Sequence, residues 1–130
     1  MNVIRFKPGD KLIIVFVRIF GPLGDRRCRF ALDTAATTTL VVPGIVDALG
    51  YSPLTADEVS DVVSAVAIEP GYLRRVTRFQ ALGFEHQNFQ VNASDLHEEA
   101  GIDGLLGLNF LSSYNYEIRS KEGVIRIEPA

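Results

Sequence analysis

A single acidic residue ends an apolar run in a way that suggests catalytic chemistry. Asp33 follows Phe30-Ala31-Leu32, and the small residues Thr34-Ala35-Ala36 come directly after it. Burying a carboxylate is costly unless polar groups compensate, and small side chains let backbone N–H groups and a second chain approach it. A carboxylate held in this way can act as a general acid or base. The residues alone also permit two structural roles for Asp33, a helix N-cap or a turn at the end of a strand.

The elements that position Asp33 are predicted to be mostly strands. Short β-branched and aromatic runs predict strands at residues 12–20, 27–32, 59–68, 72–82, 84–91, 114–119 and 124–128. Three hairpins follow from turn residues at 21–25, Glu69-Pro70-Gly71 and 120–123. Pro43 suits the first turn of a short helix over residues 44–49, and Gly50 ends that helix. The pattern predicts one all-β domain over residues 1–130, a closed or partly closed small barrel with one or two short helices.

The composition is that of an ordinary globular domain. Apolar residues make up 47% of the 130 residues and charged residues 22%, which excludes a disordered chain. The net charge of −3 argues against a general nucleic-acid binder, because such a protein needs a basic face. No apolar run approaches the ~20 residues of a membrane-spanning helix, and the first residues do not resemble a signal peptide. We therefore expect a cytoplasmic protein, or a soluble domain of a larger protein, with neither a nucleic acid nor a membrane as partner.

The sequence predicts neither thiol nor imidazole chemistry. Cys28 alternates with two arginines along a predicted strand and is expected to be a small buried residue. His86 lies with Glu85 and Gln87 in a run that predicts a solvated strand face. One Cys and two His cannot supply a closed tetrahedral zinc site, so no metal site is expected.

Two motifs resemble the retropepsin-like aspartic proteases. The segment Leu32-Asp33-Thr34-Ala35-Ala36-Thr37-Thr38-Thr39 is similar to that family's Asp-Thr-Gly-Ala-x-x-Thr signature. The segment Asp103-Gly104-Leu105-Leu106-Gly107-Leu108-Asn109-Phe110-Leu111 resembles its second hallmark, a glycine-flanked apolar pair before a short helix. Either motif alone is weak, but the two together, with the same order of elements over essentially the whole chain, are fairly specific. Ala35 departs from the family pattern, which usually has Gly at that position.

The resemblance implies a retropepsin-type barrel built as a symmetric homodimer, with no cofactor and no metal. Asp33 and Asp33 of the partner subunit would form the catalytic pair, because this chain has only one Asp followed by Thr or Ser. Thr34 would hydrogen-bond across the two-fold axis, and Ala35 and Ala36 would offer backbone groups to the catalytic pair or the substrate. The remaining motif residues would have structural roles, with packing or hydrogen bonding within the loop for Thr39, close backbone crossing for Gly104 and Gly107, and core packing for Leu105 and Leu106.

The resemblance also places the central hairpin at the position of the family's flap, which closes over the substrate. The residues expected to contact substrate there are Ile68, Glu69, Pro70 and Gly71. The inner side of the flap would carry Val62, Val63, Ala65, Val66 and Ile68. An ordinary surface hairpin is the alternative. Arg74 and Arg75 on the same hairpin are expected to be exposed, where they could influence substrate preference.

The function that the resemblance implies is an aspartic endopeptidase that acts on an extended polypeptide. A water activated by the Asp33 pair would hydrolyse the peptide bond. Two other interpretations stay open. The domain could keep the fold as a non-catalytic dimerisation or peptide-binding module, or it could be an unrelated small β-barrel, monomeric, with Asp33 on a surface turn.

Overall fold

A computed structural model of the chain describes residues 1–52, 58–63, 68–96 and 101–130. In these ranges the backbone forms ten strands and two short helices. The strands are β1 (Asn2–Arg5), β2 (Ile14–Gly21), β3 (Gly24–Leu32), β4 (Leu40–Val41), β5 (Glu58–Val63), β6 (Ile68–Ala81), β7 (Phe84–Ala93), β8 (Gly104–Leu106), β9 (Tyr114–Arg119) and β10 (Val124–Pro129). The helices are α1 (Pro43–Ala48) and α2 (Leu108–Leu111), and neither is long and apolar enough to cross a membrane.

Six strands close a barrel, which confirms the predicted all-β barrel with two short helices. The strand order is β2, β3, β8, β4, β7 and β6, and β6 pairs again with β2 through Val17 opposite Ala81. Closure leaves these six strands without a free edge at the seam. Strand β5 extends the sheet beyond β6. Strands β1, β10 and β9 form a separate three-stranded antiparallel sheet.

Alternation along β2 and β3 sets what faces the barrel interior. Val15, Val17 and Ile19 are at most 2% exposed, whereas Phe16 between them is 50% exposed. The two strands are joined at Gly21 opposite Gly24, so only two residues make the turn. The first predicted hairpin is therefore confirmed, with a period-2 pattern that directs one face of each strand inward.

The core is continuous from the barrel to the small sheet. Phe30, Phe79 and Phe110 are fully buried. The ring centroid of Phe79 lies 6.2 Å from that of Phe30 and 5.8 Å from that of Phe110. Ile125 and Ile127 of β10 belong to the same cluster. The sequence prediction did not include β1, which pairs with β10 in the antiparallel register of Asn2 opposite Ile127.

The predicted helix after the Asp33 segment is confirmed. Pro43 occupies the first turn of α1, where its missing N–H has no intrahelical partner in any case. Gly50 follows the C-cap with φ of 95°, a left-handed conformation that favours glycine.

The turn predicted at Glu69-Pro70-Gly71 is wrong, although the hairpin itself is confirmed. All three residues lie in β6, with Pro70 opposite Asp61 of β5. The pairing of β6 with β7 begins only at Tyr72, and a residue without an N–H is tolerated where a strand has one neighbour. Val63 pairs with Ile68, so the connection falls at residues 64–67, outside the described residues together with the predicted flap residues Ala65 and Val66.

Candidate active site

The Asp33 loop begins where β3 ends. The backbone N–H of Asp33 donates to the carbonyl of Leu106 at 3.0 Å, so the loop starts from the β8 strand beside it. The Asp33 Oδ1 atom accepts a 2.9 Å hydrogen bond from the N–H of Ala35. The N–H of Ala36 also donates to the Asp33 carbonyl at 3.2 Å. The sequence prediction that small residues after the acid allow backbone donors to reach it agrees with this geometry.

The tip of the loop faces solvent in the single chain. Asp33 and Ala36 are half-buried, whereas Thr34 and Ala35 are exposed. The methyl group of Ala35 therefore does not press against the rest of its own subunit. The carboxylate is accessible, and a second chain or a substrate can reach the residues beside it.

Strand β8 crosses directly behind the loop, between the two strands that flank it. It pairs in parallel with β3 through Leu32 opposite Leu106, and antiparallel with β4 through Leu40 opposite Leu105. A Cβ at Gly107 would lie 2.7 Å from the carbonyl oxygen of Ala36, and a Cβ at Gly104 would collide with the backbone of β4. The predicted close backbone crossing at the two glycines is present, because only glycine leaves room for it.

Asn109 ties this crossing to the loop, and the sequence prediction gave it no role of its own. Its Oδ1 atom accepts hydrogen bonds from both the backbone N–H and the hydroxyl of Thr39, each at 2.8 Å. Its Nδ2 group donates to the carbonyl of Gln90 at 2.8 Å. Thr39, fully buried, in turn accepts the N–H of Gly107 at 3.1 Å. Loop, β7 and α2 are thus joined through one amide side chain.

The first residues of α2 hold the loop backbone as well. The N–H of Leu108 donates to the carbonyl of Ala36 at 2.8 Å, and the N–H of Asn109 donates to the carbonyl of Thr37 at 3.1 Å. These N–H groups belong to the first turn of the helix, where they have no intrahelical acceptor. The loop carbonyls therefore accept the free N–H groups at the start of α2, and the same hydrogen bonds hold the loop backbone in place.

An apolar row lies beside Asp33 on the outer face of the barrel. Phe30 and Leu32 pack against the core, so Ala31 and Asp33 point to the other face of β3. Ile14 and Leu105 are the register partners of Ala31 in β2 and β8. Both are half-buried, whereas Leu106 is fully buried. Of the two leucines predicted as core residues, only Leu106 belongs to the core cluster.

The residues predicted to contact substrate, Ile68 to Gly71, lie in strand β6 of the β5–β6 hairpin, and Ile68 comes directly after the connection. Ile68, Glu69 and Pro70 are paired with β5, and Gly71 packs so closely on β7 that a Cβ there would lie 2.7 Å from the carbonyl oxygen of Ala93. These four residues therefore form part of the hairpin's strand.

Other titratable side chains have structural surroundings. Burial raises the pKa of the Cys28 thiol to about 11, as expected of a small core residue. Asp103 accepts the N–H of Arg29 at 2.9 Å and thus fastens the start of β8 to β3. Two expectations were wrong: His86 is half-buried against Phe110 rather than solvated, and Arg74 is 9% exposed. In the described ranges, no three His, Cys, Asp or Glu residues lie close enough to hold a metal ion.

Comparison with known proteins agrees with this geometry. The sequence profile of the family described as aspartyl protease matches residues 16–110. A comparison with curated protein sequences finds no match. Among solved structures, the chain is similar to a retropepsin-like aspartic protease from Rickettsia conorii, with a TM-score of 0.68 and 16% sequence identity over 95% of this chain and 87% of that chain. The retropepsin-like fold is thereby confirmed.

Proposed function

This chain belongs to the aspartyl protease family, and on that premise we propose that it is an aspartic endopeptidase that acts as a homodimer. The observation that carries the proposal is the environment of Asp33. One carboxylate oxygen accepts the N–H of Ala35, and no donor among the described residues reaches the other. The loop that holds this carboxylate is fixed from behind by β8 and α2, while its tip is open.

The dimer follows from the number of suitable carboxylates. Peptide hydrolysis by this chemistry needs two carboxylates that share one proton, since like charges about 3 Å apart do not both ionise readily. Asp33 is the one Asp in the sequence that is followed by Thr or Ser. The second carboxylate is therefore assigned to Asp33 of the partner subunit, across a two-fold axis.

In the proposed reaction the two carboxylates take opposite roles. The ionised one accepts a proton from a bound water as that water attacks the peptide carbonyl. The protonated one donates a hydrogen bond to the developing oxyanion, and a proton then passes to the leaving amine. Thr34, exposed in the single chain, is proposed to hydrogen-bond across the axis and align the two loops. Ala35 and Ala36 are proposed to offer backbone groups to the substrate.

The substrate proposed is an extended polypeptide bound in β geometry. Ile14 and Leu105, half-buried on either side of the buried Ala31, lie beside Asp33 and suit apolar side chains next to the scissile bond. The β5–β6 hairpin is proposed as the flap that covers the peptide. No metal or cofactor is part of this proposal. Action in the cytoplasm, without nucleic acid or membrane as partner, stays a prediction from the sequence.

The test is Asp33→Asn, which keeps the side-chain volume and the acceptor for the Ala35 N–H but cannot take up a proton from water. We expect cleavage of a peptide library to fall by at least about a thousandfold, since the general base and general acid are lost together. Circular dichroism and sedimentation should match the wild-type protein. An Asp33→Asn variant that cleaves the library as well as wild type would refute the assignment.

The second candidate function is a peptide-binding or dimerisation module without catalysis. Ala35 in place of the family's usual glycine is the observation in its favour. Against it, the Ala35 methyl is exposed and the Ala35 N–H still donates to the carboxylate. A dimer that stays inactive on the library from acidic to neutral pH, while still binding peptides, would favour this module over the protease.

A further inference from the structure

A groove on the outer side of the barrel lies away from the Asp33 loop. It has a volume of about 410 Å³ and runs over the junction of β2 and β6 and the turn between β6 and β7. Phe16, Leu82 and Phe84 give it apolar walls, and its charged lining residues are Arg18, Arg27 and Glu85. We call it the Phe16 groove. It is large enough for two or three side chains of a peptide.

The aromatic floor of the groove is exposed. Phe16 is 50% exposed and points outward from β2, between the inward-facing Val15 and Val17. The Arg27 guanidinium lies over its ring, 3.6 Å from the centroid. A guanidinium stacked in this way keeps its in-plane N–H groups turned outward, in the fork arrangement that binds a carboxylate with two hydrogen bonds.

The charge of Arg27 is not neutralised within the described part of the chain. Arg18 is paired with Asp25, and Glu85 accepts hydrogen bonds from Arg78 at 2.8 Å. Arg27 has no carboxylate partner among the described residues. In a chain with a net charge of −3, this leaves an arginine available for an acidic ligand, held on an apolar surface that weakens the competition from water.

We propose that the Phe16 groove binds an acidic segment of the polypeptide substrate at a distance from the scissile bond. Arg27 lies in β3, which ends at Leu32, and Asp33 comes six residues after Arg27, so roughly 20 Å of extended chain separates the two. Only an extended polymer such as a polypeptide can contact the Phe16 groove and Asp33 at the same time. The inference rests on the proposed function of the Asp33 site. The groove would select substrates that carry Glu or Asp several residues from the cleaved bond.

Binding is tested apart from cleavage, on the Asp33→Asn protein. The probe is a fluorescein-labelled, capped peptide of alternating Glu and Val, and a second peptide carries Gln in place of Glu. Adding Arg27→Gln should weaken binding of the Glu peptide about tenfold, the loss of one charge-assisted contact. Arg26→Gln is the matched control, since Arg26 is exposed, adjacent in β3 and directed to the other face. Equal affinities of the two variants, or of the two peptides, would overturn the proposal.

Cleavage then separates this proposal from the first one. For a library peptide that wild type cleaves, extended by an acidic segment, Arg27→Gln should raise KM about tenfold and leave kcat unchanged. The same peptide with a Gln extension should show no change in KM. If no peptide is cleaved but binding depends on Arg27, the groove stands and the protease assignment fails. If peptides are cleaved and KM is insensitive to Arg27, the groove proposal fails alone.

Discussion

An added methyl group is tolerated at one position beside Asp33, residue 35, but not at Gly107. In the single chain Ala35 is exposed while its N–H donates to Asp33, so alanine fits within its own subunit. At Gly107 the same methyl would meet the Ala36 carbonyl oxygen at 2.7 Å and the Thr38 carbonyl carbon at 2.9 Å. Both neighbours are backbone atoms of the Asp33 loop, so the loop itself would have to move.

Gly107→Ala is therefore expected to reduce catalysis more than stability. Overpacking of this kind costs about 1–3 kcal/mol, whereas a displacement of about 1 Å at reacting groups can lower the rate about a hundredfold. Urea unfolding measures the first quantity, and kcat/KM for a library peptide measures the second. Gly44→Ala is the control and should leave kcat/KM unchanged, because beyond its chain neighbours and its own helix backbone no described residue lies within 4 Å of the added methyl. A Gly107→Ala enzyme as active as Gly44→Ala would show that the loop does not depend on this crossing.

At the same scale, the sequence identified candidate site residues only where the neighbouring residues in the chain form a recognisable pattern. Asp33 ends a strand and is followed by small residues, and this pattern is local. Asn109 was missed because its partners, Thr39 and Gln90, lie 70 and 19 residues away in the sequence. Nothing in the residues next to Asn109 shows that its amide joins the loop to β7. A buried Thr in the loop signature, which needs a partner for its hydroxyl, is the signal that could have pointed to it.

At the scale of secondary structure, an aromatic cluster connects the elements behind the site. His86 of β7 stacks on Phe110 of α2, with ring centroids 4.4 Å apart. Its Nε2 atom and the Tyr114 hydroxyl of β9 share a 2.6 Å hydrogen bond. The helix that supports the Asp33 loop is thus packed, through one imidazole, against the small sheet. Burial lowers the pKa of His86 from its ordinary value, because the charged form is poorly solvated there.

The free energy of unfolding should therefore fall in acid through His86. The unfolded chain binds a proton at about pH 6.5, whereas the folded chain binds it only at lower pH, so this part of the stability is present above about pH 6.5 and is lost below it. His86→Phe keeps an aromatic ring in the cluster but removes the titration. Its unfolding free energy, from urea titrations between about pH 7.5 and pH 5, should depend less on pH than that of wild type. Parallel pH profiles for the two proteins would contradict this role.

The wrong expectations at this scale have one cause, contacts with other parts of the fold. Pro70-Gly71 is a residue pair typical of a turn, but pairing with β5 keeps this stretch in an extended strand. Arg74 and His86 are polar residues in alternating runs, and both are covered by elements distant in sequence: Arg74 lies over the ring of Tyr51, and His86 is covered by Phe110. The strands of local hairpins, such as β9 with β10, were predicted closely because their pairing depends on the residues next to the turn.

For the whole molecule, the small sheet limits how a second copy can join it. By analogy with the retropepsin-like family, residues 1–6 and 124–129 are candidates for the proposed dimer interface. In the structure β10 is the central strand, paired with β1 on one side and β9 on the other. Its hydrogen-bonding edges are occupied, so an added strand would pair with β1 or β9. Val3 within β1 is 52% exposed and Met1 directly before the strand is 73% exposed, so β1 offers the more apolar edge.

The proposed catalytic pair, with one Asp33 from each subunit, makes a quantitative prediction for mixtures of subunits. If each active site takes one Asp33 from each of two chains, a heterodimer of wild type with Asp33→Asn is inactive. After subunit exchange, an equal mixture should retain about one quarter of the activity of the same total amount of wild type, because activity follows the square of the wild-type fraction. Independent subunits would retain about one half. The measurement is the initial rate of peptide cleavage across mixing ratios, with Gly44→Ala in place of Asp33→Asn as the control for mixing itself. If the initial rate instead rises linearly with the wild-type fraction, one chain carries a complete site, and the proposal of a two-chain active site is wrong.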